Sequence, residues 1–471
     1  MRSANNKAQI GCWRLALFLA MFVAAGAAAE DHSFPATEYQ ARRQRIMAQL
    51  PNGILLLHAK ASLFNVDQLL LFGFHQDPTF YYFSGLPNTV SAILAIDGRK
   101  KQSWLFAPTK LNGMADLVRT PFVELGAHTE KQLLMEHVVN WDEFIGYIDR
   151  ELKADPSLEL YTEDMTVSIM TQPPVSTNPP GLAPVDDPLL LWRTALAQRW
   201  PKAKIRSASE QILRMQLVKT PAEIEVMRRV GQISAAAVMA GMRSVYPGQS
   251  PRVLQADIVK GCMVSGGEGP SFWPLVPSGF YSQIPALVEA IADYHQKNHA
   301  MTVGEVVHLD LGCEFELYDG DVGRTVPVSG AFTAGQRETW DLLVHAYQTG
   351  LAAIHNGVSR DEVFAAALQS VRDEQKSLKT PLGQKAAAAL LGKDGTAQWY
   401  LHSSGLGDAT TEPKILQTGM IVVFEPYIVI EGQGYYLEDE TLVTANGHEV
   451  LTGGLPYTSE EIERVMAHNA N

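Results

Sequence analysis

Residues 306–325, VVHLDLGCEFELYDGDVGRT, decide the fold. Val306, Val307, Leu309 and Leu311 read as a buried strand, yet Asp310 sits inside it. Burying a lone carboxylate is costly unless it is paired or binds a metal. Asp321 follows eleven residues later, in a stretch that reads as the return strand of a hairpin, so the two acids are expected to meet. The pattern recurs downstream in Val422-Val423-Phe424-Glu425-Pro426 and Tyr435-Tyr436-Leu437-Glu438-Asp439. His402 precedes both, in Trp399-Tyr400-Leu401-His402-Ser403. Singly these residues have plain structural readings: Asp310 a salt-bridged core acid, Asp321 a turn residue, His402 a core histidine with its hydrogen bonds met. Together, four carboxylates and one imidazole in apolar strands match the ligand set of two hard or borderline divalent cations. Such a pair clamps a water, lowers its pKa and polarises a carbonyl.

Around this stretch helices and antiparallel strands interleave. Thr220-Pro221-Ala222-Glu223 is a capping box with proline at the first helical position, opening a helix that runs to about Val245. Ser359-Arg360-Asp361-Glu362 repeats the device before a helix to about Lys376. With strand-rich segments at 305–328 and 420–444, residues 207–471 are expected to form an α+β domain. Residues 30–206 read as a separate α/β domain. Glu38 to Leu50 has helical periodicity, Ile54 to Leu57 is a buried strand, and Asp97-Gly98 joins two strands as a hairpin. Six prolines between Gln172 and Pro188 predict a long irregular loop.

The 471 residues are 46% hydrophobic, enough for a large core, and carry 38 Lys+Arg against 51 Asp+Glu. A net charge of −13 without a basic stripe excludes a nucleic-acid partner. Arg99-Lys100-Lys101 reads as a solvated hairpin tip. Residues 1–29 have the order of a cleaved leader: Arg2, Lys7 and Arg14, an apolar run from Leu15 to Val23, then small residues to Ala29. The run from Leu15 to Ala29 is short of the roughly 20 residues that span a bilayer, so an exported chain free of the membrane is expected. Only Cys262 and Cys313 then remain, a pair that an oxidising compartment can join.

Leu309-Asp310-Leu311-Gly312, Gly320-Asp321-Val322-Gly323-Arg324-Thr325, His402-x-x-Gly405-Leu406, Phe424-Glu425-Pro426 and Leu437-Glu438-Asp439 resemble, in order and spacing, the motifs of the pita-bread metallopeptidases. Within that family the likeness is to aminopeptidase P and prolidase. Arg214 to Arg228 is similar to the entry into the catalytic domain, and Tyr39 to Leu86 to the amino-terminal domain of those enzymes. The resemblance implies a creatinase-like catalytic domain behind an α/β amino-terminal domain. It also implies that Asp321 and Glu438 bridge two metal ions, that Asp310 serves one, and that His402 and Glu425 serve the other. Glu425 would be the general base that takes the proton of a bridging water. Manganese is the expected metal, with cobalt or zinc able to substitute. A peptide substrate and a homo-oligomer are likewise implied.

The chain also departs from the family. Where relatives carry a second histidine after the metal-binding one, this chain has Ala409 or Thr411. Gln398 replaces a histidine, Tyr436 replaces an arginine, and Tyr294-His295-Gln296-Lys297-Asn298 exchanges the first two residues of His-Tyr-x-x-Asn. His295 is therefore the candidate for a recruited catalytic imidazole, with a surface residue as the alternative. A hydrolase of another amide or ester, or a metal-stabilised binding protein, stands beside the peptidase reading.

Overall fold

The computed structural model describes residues 34–60, 75–109, 123–163, 188–283, 299–392, 396–406 and 412–467. The leader, most of the proline-rich loop, Tyr294 to Asn298 with His295, and both Ala409 and Thr411 lie outside the described residues. From Ala36 onward the chain packs as one unit.

The amino-terminal part is a six-stranded sheet: β1 (Gly53–His58), β2 (Ile93–Asp97), β3 (Gln102–Ala107), β4 (His137–Asn140), β5 (Glu159–Thr162) and β6 (Lys204–Ser207). Its order is β4-β3-β2-β1-β5-β6. The hairpin expected at Asp97-Gly98 forms, with Asp97 opposite Gln102. Its tip is solvated as expected, with Lys100 and Lys101 exposed, and it carries ion pairs besides. Arg99 reaches both Asp97 and Glu151 (2.7 and 2.8 Å), and Lys100 also pairs with Glu151, because Asp97 at the end of β2 is buried and needs donors. The proline-rich segment, of which 172–187 lie outside the described residues, ends at its last proline. Pro188 opens the helix Pro188–Arg199, a position where its missing N–H costs nothing.

Helix Pro221–Ser244 starts at the anticipated box: Thr220 accepts from the Glu223 amide at 3.4 Å and Glu223 accepts from the Thr220 amide at 2.9 Å. Ser359 and Glu362 cap Arg360–Glu374 in the same way. Between them come β7 (Gly269–Pro270), β8 (Val306–Leu311), β9 (Cys313–Phe315), β10 (Tyr318–Asp319) and β11 (Val322–Pro327). After Arg360–Glu374 follow β12 (Ala397–Ser403), β13 (Gly405–Leu406), β14 (Ile421–Ile430), β15 (Gln433–Tyr436), β16 (Glu440–Val443) and β17 (His448–Val450). β8 and β11 form an antiparallel ladder. The ten-residue β14 is the hub of the last sheet, pairing with β12 along one edge and with β16 and β15 along the other. Apolar residues of β8, β11 and β14 share one core with the long helices, around the buried Trp340. Cys262, on the helix Pro251–Val264, is disulfide-bonded to Cys313 of β9.

Candidate metal centre

Five strand segments bring the predicted ligands together. Asp310 lies near the end of β8, opposite Gly323 on β11, and Asp321 immediately precedes β11. On the other side of Gly323 runs Glu438: each residue's amide donates to the other's carbonyl, at 3.1 and 3.2 Å. Three carboxylates therefore gather about one glycine. β12 and β14 supply the rest, with Tyr400 opposite Glu425 and His402 opposite Val423, so His402 and Glu425 emerge on one face.

Ligand atoms of Asp321, His402 and Glu438 lie within 4.8 Å of one another. His402 Nε2 is 3.6 Å from Asp321 Oδ2. Its Nδ1 is 3.1 Å from the Ser403 carbonyl, which can only accept, so Nδ1 carries the proton and Nε2 offers its lone pair. Asp310 and Glu425 join through charge. Burial first, and repulsion from Asp321 second, hold the Asp310 carboxyl well above the usual carboxylate range. Burial followed by Asp310 and Asp321 does the same to Glu425. Glu438 is raised by burial and then by Asp321, Glu425 and Asp310. Three acids pushed toward protonation by one another and by Asp321 are a site short of positive charge. Their oxygens and one imidazole nitrogen are the donors that manganese, cobalt or zinc accepts.

Neighbouring groups orient these ligands. The Tyr436 hydroxyl donates to Glu438 Oε1 at 2.5 Å. Asp439 holds the buried Arg324 through both oxygens at 3.0 Å and accepts from Tyr347, Tyr457 and Thr452. Glu440 is fully buried against Ser404, whose hydroxyl lies 2.8 Å from Oε1, and it receives the backbone N–H of Asp321. Lys219 stands behind it; burial lowers its ammonium to about 8 despite the pull of Glu223 and Glu440. Glu440 and Lys219 went unmarked in the sequence reading. An acid two residues past Glu438 on a strand faces the same way, and that spacing was the available signal. Gln398 stands on β12 opposite Tyr427, two alternations from His402 and on its face.

The fold and this cluster define a metallopeptidase. Residues 225–445 match the model of metallopeptidase family M24, and residues 39–115 match the aminopeptidase P amino-terminal domain. The chain therefore carries a region that matches family M24 behind one that matches the aminopeptidase P amino-terminal domain, and it shares the aminopeptidase P-like fold of an amino-terminal domain before the catalytic one. It is 26% identical to a Xaa-Pro aminopeptidase of Haemophilus influenzae, over 92% of this chain and 97% of that protein. A Xaa-Pro aminopeptidase of Escherichia coli is 30% identical over 54% of this chain and 60% of its own length. A solved structure of an Escherichia coli aminopeptidase P variant superposes with a TM-score of 0.70 at 25% identity, covering 93% of this chain and 99% of that one.

Proposed function

We propose that the chain is an exported dinuclear peptidase that cleaves the bond between an amino-terminal residue and a following proline. The observation that carries this reading is the set of buried, mutually repelling carboxylates with His402 Nε2 in ligand range. Asp321 and Glu438 would each hold both ions, Asp310 one of them, and His402 with Glu425 the other. Two bound divalent ions, manganese by preference, supply an activated water between them and polarise the scissile carbonyl. Glu425 would act as the general base that takes the proton of the attacking water. The Cys262–Cys313 bond supports export, since oxidising compartments preserve such bonds. A homo-oligomer with contacts through the amino-terminal domain completes the proposal.

One observation favours a second reading. Tyr436 and Gln398 stand where the family has an arginine and a histidine, so the pocket is rebuilt for a different amide or ester. Manganese-loaded protein incubated with a peptide library and read by mass spectrometry separates the two. Loss of one residue ahead of proline supports the first. Two bound ions per chain without any cleavage would move the assignment to the second.

A further inference from the structure

Tyr436 is the departure from the family pattern that the structure places deepest in the site. Its backbone is clamped on both sides: the Thr325 hydroxyl accepts from the Tyr436 amide and donates to its carbonyl, both at 2.9 Å. The phenol end of its ring packs against Gly323. A Cβ on that glycine would stand 1.9 Å from the phenol oxygen and 2.1 Å from Cζ, so only glycine lets the ring cross β11. The ring is flanked by His308, two residues before Asp310 on β8, at 5.3 Å between centroids. Held this way, the hydroxyl donates to Glu438 Oε1 at 2.5 Å.

We infer that Tyr436 is a positioning residue of the metal centre, its hydroxyl orienting Glu438 so that the remaining lone pairs of that carboxylate face the cations. A carboxylate has about four acceptor sites, and a fixed donor on one of them selects which face is left for metal. A phenol does this without charge. The arginine that the family carries here would add a positive charge beside the ions, whereas tyrosine leaves the full negative charge of the four carboxylates to attract them. Glycine at 323 is part of the same device, because the hydroxyl reaches Glu438 only across its bare Cα.

The inference rests on the metal-centre reading. Wild type and Tyr436→Phe, full-length and stripped with chelator, are compared for Mn²⁺ dissociation constant by competition with an indicator dye. Thermal unfolding of the stripped forms and the visible spectrum after Co²⁺ loading are recorded alongside. A positioning role weakens Mn²⁺ about tenfold or more and alters the Co²⁺ spectrum. An affinity within threefold of wild type with an unchanged spectrum overturns the inference, whatever the stripped protein's melting temperature. Wild type that binds no Mn²⁺ overturns the metal-centre reading itself, a distinguishable failure. Should Tyr436→Phe not fold, 3-fluorotyrosine at 436 keeps the hydroxyl, and its ¹⁹F resonance should move as Zn²⁺ is added. A resonance that stays still overturns the inference.

Discussion

Where the amino-terminal helix Ala36–Gln49 meets the catalytic helix Pro221–Ser244, Arg42 and Glu223 are both fully buried, 3.5 Å apart. At the candidate metal centre burial and mutual repulsion, with Asp321 among the repelling charges, hold the carboxyls of Asp310, Glu425 and Glu438 well above the usual carboxylate range. The first cluster is balanced from within. Arg42 also meets Glu38 at 3.2 Å, the Tyr82 carbonyl, and the Tyr82 ring face at 4.2 Å. Glu223 receives the Thr220 amide and the Tyr318 hydroxyl, the latter at 3.0 Å. In the second cluster the carboxyls repel one another, and the donors that reach them do not offset that repulsion. Buried charge that is paid off internally holds two parts of a chain together; buried charge left in deficit recruits a ligand.

The largest expected effect of this difference is on stability with and without metal. A ligand at a thousandfold over its dissociation constant stabilises by about 4 kcal/mol, so two ions should exceed any single side chain at the Arg42 cluster. The pH dependence has a definite sign. A carboxyl whose affinity for protons is raised by folding contributes stability that is full below the ordinary carboxylate range and is lost progressively as pH rises from that range through the raised folded-state value. Asp310, Glu425 and Glu438 are all of this kind in the metal-free chain. His308, lowered by burial to about 4, acts in the opposite sense between about pH 4 and 6.5, so the measurement belongs above that window. Melting temperature in chelator should fall as pH rises from 6.5 upward, while manganese-loaded protein should hold steady. A stripped protein as stable as the loaded one would erase the contrast.

Next in size is Arg42→Met. Removing one member of a buried pair strands the other and typically costs about 3–5 kcal/mol. Denaturant unfolding should register that loss, while the stoichiometry of bound metal stays at the wild-type value. If metal is lost with stability, the Arg42 cluster belongs to the site rather than to the frame.

Much of this was legible in the sequence because it is local or periodic. The capping boxes at Thr220 and Ser359 are fixed by residues three apart, and the hairpin at Asp97 by its turn. The acids of β8 and β14 announced themselves by sitting in runs of valine, leucine and phenylalanine. What stayed hidden depends on contacts across long sequence separations. Glu440 serves Asp321, 119 positions away, through a backbone amide that no pattern marks. Arg42 lies within the stretch that resembles the amino-terminal domain, but its burial against Glu223 and Tyr318 depends on partners 181 and 276 positions away. Tyr436 could be seen as a departure, but its aim at Glu438 follows from Gly323 lying beneath it.

The smallest effect discriminates best, because the two clusters share one motif: a buried tyrosine donating to a buried glutamate. Tyr318 serves Glu223 as Tyr436 serves Glu438. Burial raises the Tyr318 phenol well above its ordinary range, as does the Glu223 carboxylate, so the hydroxyl keeps its proton and donates. In Tyr318→Phe, Glu223 Oε1 loses that donor but keeps Arg42 at 3.5 Å, and Oε2 keeps the Thr220 amide at 2.9 Å. The remaining partners limit the cost to that of one hydrogen bond, about 1 kcal/mol rather than the larger penalty of a stranded charge. Arg42 also has Glu38 and Tyr82 to fall back on. Urea unfolding should therefore show a small drop in midpoint with an unchanged slope, and manganese affinity should match wild type. A metal affinity that falls as far in Tyr318→Phe as in Tyr436→Phe would mean that loosening the frame is enough to disturb the centre. The division between a self-balanced cluster and one that waits for cations would then have to be redrawn as a single cooperative network.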